Sequence, residues 1–303
     1  MKVGIDLGGT NLRAAVVEGD PGATATLVMQ HRELVGEPRD PQTITDRVAR
    51  IVEELTAGAS EVSVGIGIAA MLRDRSGTVA NSPHLRWRDV PFGRLLGARL
   101  GERYRIGVYN DVNAIVYGEA MCGAARGCRD VLGVYVGTGI GAGLIVDGNL
   151  VEGVSNCAGE LGHTKVRWDD DAAPCACGSR GCLEAYCGGT YLDRQVFALR
   201  GRTDITLSDV DTAAAAGEDW ALRLWTETAT LLAVALGNAV ALVNPERLVL
   251  GGGVLSRCPT LYSLVETLLE VAGNGPSLER LTVTPAGLGD DAGLVGAAHL
   301  AAR

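Results

Sequence analysis

A two-domain α/β fold built twice on one plan is what the sequence predicts, and three observations predict it. A chain of 303 residues is too long for one small domain and suits two lobes sharing a cleft. A strand, a glycine-rich turn and a second strand occur at residues 2–17 and again at 131–146. Around these units, apolar segments of strand length are interspersed with segments of helical period.

The elements follow in chain order. Lys2–Asp6 is a strand, Leu7-Gly8-Gly9-Thr10 a turn, Leu12–Val17 the returning strand and Thr26–Leu34 a third. A helix covers Pro41–Thr56: Pro41 suits a first helical turn, and Ile44, Val48, Ile51, Val52 and Leu55 recur at helical spacing. Val62–Ala69 reads as a buried strand, Phe92–Leu100 as a helix, and Ile106–Tyr109 as a strand ending at Asn110-Asp111, with a helix from about Val112. The second unit runs Val131–Val136, Gly137-Thr138-Gly139-Ile140-Gly141, Ala142–Val146. A cysteine-rich loop spans Cys157–Cys187. The C-terminal third is read as helical, with a long apolar helix at Trp220–Val243, Val249 leading into Gly251-Gly252-Gly253, and a last small-residue helix at Gly293–Ala302.

Composition narrows the function classes. The hydrophobic share of 47% and charged share of 21% are those of a soluble globular enzyme. The 42 glycines are about twice the usual share. A net charge of −9 argues against a nucleic-acid or anionic-membrane surface. No apolar run approaches the roughly 18 residues of a membrane span, and the N-terminus lacks the apolar core of a signal peptide, so a cytoplasmic protein is expected.

The glycine turns carry the first chemistry. A Gly-Gly-Thr turn between strands frees backbone N–H groups and removes Cβ bulk, a concavity that suits phosphate oxygens. One such turn also describes an ordinary hairpin; two, each with a threonine and the first preceded by Asp6, favour phosphate. Asp6 at a strand end is placed to hold Mg²⁺ through water. The two lysines of the chain, Lys2 and Lys165, lie in no Gly-x-x-x-x-Gly-Lys-Ser/Thr context. Both turns join strand to strand, so the dinucleotide fingerprint fails as well. A triphosphate here would be neutralised by amides, hydroxyls and Mg²⁺.

Asp111 lies where a strand ends and a helix begins, the place where sites collect in open α/β sheets. The helix N-terminus favours its ionised form. A carboxylate so placed accepts a proton from an alcohol, and phosphoryl transfer otherwise needs positioning and charge neutralisation. In isolation the same aspartate is equally a helix cap.

Of eight cysteines, Cys175, Cys177 and Cys182 crowd into eight residues behind His163. Three thiolates and one imidazole make a closed tetrahedral set of the structural zinc type. The loop so pinned also carries Glu160 and Glu184, whose carboxylates suit the hydroxyls of a polyol.

Together these motifs resemble the ROK family of bacterial sugar kinases and related repressors. The matching pieces are Asp6-Leu7-Gly8-Gly9-Thr10-Asn11, Asn110-Asp111, Gly137–Gly141, Glu160-Leu161-Gly162-His163, the run from Cys175 to Glu184, Gly251-Gly252-Gly253 and Asp291–Ala298. The resemblance implies an actin-like (ribonuclease H-like) fold, mixed sheets flanked by helices, with ATP between two domains. The expected division is residues 1–111 with 291–303, against 112–290. It implies that Asp111 is the base toward the 6-hydroxyl of an aldohexose, with glucose first. Asn110, Glu160, His163 and Glu184 would hold the sugar. Gly8, Gly9, Thr10, Asn11, Gly137, Thr138 and Gly139 would face the phosphates, and Gly252 and Gly253 the adenosine. ATP, Mg²⁺ and a structural Zn²⁺ on His163, Cys175, Cys177 and Cys182 are the implied cofactors, and a homodimer or homotetramer the implied assembly.

Two departures sit at the sugar end. Ala69-Ala70-Met71 replaces the family's Pro-Gly-Pro, and His84 takes the place of a sugar-touching asparagine. They bear on sugar identity and not on phosphoryl transfer; Ser82–Pro91 resembles the glucokinase branch more than the N-acetylhexosamine branch, and N-acetylmannosamine, N-acetylglucosamine or another polyol is the nearest rival substrate. A sugar-responsive repressor would need a helix-turn-helix domain ahead of Lys2, and a kinase-dead sensor would not need both turns and Asp111.

Overall fold

The computed structural model describes residues Met1–Arg303. The chain forms two compact units, each built from discontinuous segments. The first holds 1–129, 143–158 and 287–303; the second holds 130–142 and 159–286.

In the first unit, β1 (Lys2–Leu7) and β2 (Asn11–Glu18) form an antiparallel hairpin, and β3 (Thr26–Leu34) pairs with β2. Helix α1 (Pro41–Leu55) starts where the Asp40 carboxylate accepts from the Thr43 amide at 3.0 Å, with Pro41 in its first turn. It buries Ile44, Val48, Ile51, Val52 and Leu55. Each buried side chain of this kind contributes about 1.5–3 kcal/mol. Strand β4 (Val62–Ile68) lies parallel to β1. A small sheet of β5 (Met71–Leu72), β6 (Val79–Ser82) and β7 (Trp87–Val90) follows, which no local periodicity foretold. Then come α2 (Phe92–Leu100), β8 (Tyr104–Asn110), parallel to β4, and α3 (Asp111–Cys122). The sheet order is β3–β2–β1–β4–β8.

The second half repeats that plan. Strands β9 (Val131–Val136) and β10 (Ile140–Val146) flank the second glycine turn, and β11 (Asn149–Leu150) pairs antiparallel with β10. The cysteine-rich loop contains a 3₁₀ turn at Leu161–His163 and leads into α4 (Glu184–Cys187) and α5 (Gly189–Arg200). Helices α6 (Leu207–Ala215) and α7 (Asp219–Val243) precede β12 (Arg247–Gly251). Next come α8 (Gly253–Arg257), α9 (Pro259–Ala272), the short α10 (Gly275–Leu278) and β13 (Thr282–Pro285). The sheet order β11–β10–β9–β12–β13 matches the first sheet strand for strand, with β12 parallel to both β9 and β13. The C-terminal third therefore carries two strands beside its helices. Helix α7 is long and apolar enough to cross a membrane by length and composition. Its stripe of Leu224, Trp225, Leu232, Leu236 and Val240 is buried, the position of a core helix packed on α6 and α9.

The last helix, α11 (Ala292–Ala301), returns to the first unit and packs on β1, β4 and α3. Glycines permit this. A Cβ on Gly4 would stand 1.9 Å from the Leu294 carbonyl oxygen, one on Gly65 1.8 Å from that of Ala297, and one on Gly296 1.7 Å from that of Ala114. Close backbone approach thus accounts for part of the glycine excess. It also places α3 in the first unit, so the compact units differ from the expected division after residue 111.

Candidate active site

Each unit contributes its own set of residues. In the first, the turn between β1 and β2 is closed by the Gly8 amide donating to the Asn11 carbonyl at 3.0 Å. Above Gly8, a Cβ would meet nothing nearer than the Asn11 carbonyl oxygen at 3.6 Å, so that face is open. Behind Gly9 the case is reversed: a Cβ would lie 2.8 Å from Cβ and 3.0 Å from Cγ of His84. His84 is exposed, on the connection between β6 and β7, and its carbonyl accepts from Arg39 at 2.5 Å. The side chain therefore lies against the first glycine turn. Asp6, next to last in β1, lies in a polar group with Arg13, Asp290 and Asp291, Arg13 donating to the Asp291 carboxylate at 2.5 Å. Burial raises the Asp6 carboxyl above its ordinary range; Arg13 opposes the shift and Asp290 adds to it.

Asn110 caps α3. Its Oδ1 accepts from the amides of Val112 at 3.0 Å and Asn113 at 3.2 Å, while Nδ2 donates to the Ala70 carbonyl at 3.3 Å. The helix accordingly begins at Asp111, one residue before the expected start. The Asp111 carboxylate accepts from the Val112 amide at 3.0 Å, within the field of the helix N-terminus. Asn11 accepts a long bond from Arg32 at 3.5 Å and is half-exposed.

In the second unit, the turn between β9 and β10 is fixed at both ends. The Gly137 amide donates to the Gly139 carbonyl at 2.9 Å, and the Gly137 and Thr138 carbonyls accept from the amides of Gly189 and Thr190, at the start of α5. No atom lies within 4 Å of where a Gly137 Cβ would be. Behind Gly139 sits Glu184, whose Oε2 accepts from the Ile140 amide at 2.9 Å. Each glycine turn thus has one open face and one glycine backed by a side chain, His84 in the first and Glu184 in the second.

Gly137, Thr138 and Gly253 line a cleft of about 810 Å³ together with Asp193, Arg202, Thr206 and Arg257. Gly252 has φ +87° and rests against the backbone of Val136, leaving no room for Cβ. The polar residues from α5, the 201–206 loop and α8 are absent from the sequence expectations. They come from three separate segments, and no local spacing joins them.

His163, Cys175, Cys177 and Cys182 converge, with one donor atom from each within 4.8 Å of the others. Cys177 and Cys182 sulfurs are 3.7 Å apart, and Cys175 Sγ is 3.7 Å from His163 Nδ1. A tetrahedral zinc with ordinary bond lengths requires about 3.8 Å between sulfurs and about 3.6 Å from sulfur to nitrogen. The donor set fits that ion. Nε2 of His163 faces Glu160 Oε2 at 3.8 Å, beyond direct hydrogen-bond reach, so the carboxylate stands beside the imidazole. Burial pushes the Cys175 thiol up to about 11, and a bond from the Ser179 backbone leads the causes that lower Cys177. Cys122, Cys128, Cys157, Cys187 and Cys258 stand outside the cluster.

Two like sheets, each opened by a strand–Gly/Thr turn–strand hairpin, define an actin-like ATPase fold with a cysteine–histidine knuckle inserted in its second half. The chain belongs to the ROK family, whose model matches residues 2–303. It is 31% identical to the glucokinase of Streptomyces coelicolor over 99% of this chain and 97% of that one. Among solved structures, the ROK hexokinase of Thermus thermophilus superposes with a TM-score of 0.85 at 29% identity, covering 98% of this chain and 97% of that one. A ROK family glucokinase from Streptomyces griseus, in complex with glucose and AMPPNP, superposes with a TM-score of 0.79 at 30% identity, covering 99% and 98%.

Proposed function

We propose that this protein transfers the γ-phosphoryl group of ATP to the 6-hydroxyl of a hexose, glucose first. The observation that carries the reading is Asp111: a carboxylate at the N-terminus of α3, in a unit whose first glycine turn leaves an open face at Gly8. Asp111 takes the proton from the sugar hydroxyl as the oxygen attacks phosphorus. The turns at Gly8-Gly9-Thr10-Asn11 and Gly137-Thr138-Gly139 supply amides and hydroxyls to the phosphates. Gly252, Gly253 and the cleft above α5 take the nucleoside. Asp6 holds Mg²⁺ through water, and that ion neutralises phosphate charge when bound.

Asn110, Glu160, His163, Glu184 and His84 hold sugar hydroxyls. Glu184 Oε2 accepts from the Ile140 amide, and Oε1 lies 4.0 Å from Cys175 Sγ, so this carboxylate joins the second glycine turn to the cysteine cluster. Zinc on His163, Cys175, Cys177 and Cys182 pins the loop that carries three of these groups. A soluble homodimer or homotetramer in the cytoplasm completes the reading.

A second substrate class rests on the sugar-end departures: Ala69-Ala70-Met71 stands where the family carries Pro-Gly-Pro, with Ala70 buried and Met71 49% exposed, so the surface offered to the sugar differs and an N-acetylated hexosamine is the alternative. Initial rates of ADP formation with glucose, mannose, N-acetylmannosamine and N-acetylglucosamine separate the two. A preference for glucose supports the first reading, a preference for an N-acetylhexosamine supports the second, and no ADP from any of them defeats both.

A further inference from the structure

Lysine is nearly absent from this chain. Lys2 and Lys165 are the two that occur, against 25 arginines in a Lys+Arg total of 27. One of the two is used at the cysteine–histidine cluster. Lys165 pairs across the loop with Cys182 in an isolated antiparallel bridge, two residues after His163. Its ammonium spends all three N–H donors on the knuckle: Ser179 Oγ at 2.5 Å, the Arg180 carbonyl at 2.8 Å and Cys182 Sγ at 3.0 Å.

We propose that Lys165 is a supporting residue of the zinc site, holding the metal by donating to the Cys182 thiolate and cancelling the net charge of the cluster. The inference rests on the zinc reading above. Three thiolates, a neutral imidazole and Zn²⁺ sum to one negative charge. A single ammonium brings the group to neutrality. The choice of lysine over arginine has a geometric reason. A tetrahedral ammonium can serve one sulfur and two oxygens that converge on a point, whereas a guanidinium presents its donors in a flat fork. The same three bonds tie the Ser179-Arg180 turn to the opposite strand of the loop, so the tether closes the knuckle.

The test uses the full-length, zinc-loaded protein. The rate at which zinc passes to a chromophoric chelator is measured for the wild type, Lys165→Met and Ser179→Ala. Met keeps length without charge; Ser179→Ala removes one bond to the knuckle and keeps the ammonium beside the sulfur. The expected result is release about 10- to 100-fold faster for Lys165→Met, with Ser179→Ala close to the wild type. In the cobalt-substituted protein, the thiolate-to-metal charge-transfer band shifts in Lys165→Met and stays in place in Ser179→Ala. Lys165→Gln, which retains a donor without charge, replaces the Met variant if the latter does not fold. Release at the wild-type rate in the uncharged variant overturns the proposal, as does equal acceleration in Ser179→Ala, which would make Lys165 a staple for the backbone alone. A folded, active wild type that contains no metal defeats the zinc reading itself and is recognised by metal analysis before any variant is made.

Discussion

Replacing Asp111 by asparagine separates chemistry from architecture, because the proposed base and the helix cap are adjacent residues. Capping of α3 belongs to Asn110, whose Oδ1 takes the amides of Val112 and Asn113. Asp111 adds one further acceptor to Val112 and a charge at the helix N-terminus. Loss of that charge costs about 0.3–1 kcal/mol of stability. Loss of a general base costs 10²–10⁴ in rate, or about 3–5 kcal/mol in the transition state at 1.36 kcal/mol per decade. Asp111→Asn should therefore melt within a few degrees of the wild type and bind sugar, while its turnover falls by at least a hundredfold. Asn110→Ala should show a different profile. It gives up the cap, about 1–2 kcal/mol of stability, along with the orientation of its neighbour. Turnover is followed by coupled ADP release at saturating substrates, sugar binding by titration calorimetry and stability by thermal melting. An Asp111→Asn enzyme working within tenfold of the wild type would refute the assignment of the base.

Further predictions concern the metal, the packing and pH. Metal analysis should find about one zinc per chain, and chelation should lower the melting temperature of the second unit; a folded, fully active metal-free protein contradicts this. Gly296→Ala places Cβ 1.7 Å from the Ala114 carbonyl and 2.6 Å from the Gly118 amide, so α11 and α3 must separate. The cost should reach about 3 kcal/mol, read as a fall in urea midpoint, and an unchanged midpoint would contradict the packing. His299 is buried beside Cys122, with its ring nitrogen 3.7 Å from the sulfur. Burial and then the Lys2 charge lower its pKa from 6.5 to about 4, against an opposing pull from Asp20. The unfolded chain therefore takes up this proton first as pH falls. The contribution is complete above pH 6.5 and is lost toward pH 4, by at most about 1.4 kcal/mol per pH unit. Urea midpoints across that range should slope less in His299→Gln; an unchanged slope would contradict the assignment.

Local chemistry made much of the fold legible. Thr26–Leu34, Phe92–Leu100 and Val131–Val136 lie where apolar patterning put them, and Pro41 marks the start of its helix. The cysteine–histidine cluster was readable because three of its members lie within eight residues. Long-range relations were not readable. Gly4, Gly65 and Gly296 look alike in sequence to turn glycines, and their purpose appears only when α11 is laid on β1, β4 and α3. The small β5–β7 sheet has strands too short to show alternation. Asp193, Arg202 and Arg257 meet in one cleft from separate elements. His84 and Glu184 were read as sugar contacts; that each also backs a glycine of a strand-to-strand turn needs coordinates to see.

The placement of α11 also bears on how the chain comes into being. Residues 287–303 complete a unit whose first strand begins at Lys2, with the whole second unit synthesised in between. A nascent chain can bury the apolar faces of α6, α7 and α9 against one another while β1, β4 and α3 still lack their covering helix. The N-terminal portion then waits on the ribosome with glycine-lined grooves open, and a chain halted before residue 292 should present a folded second unit joined to an adhesive, unfinished first.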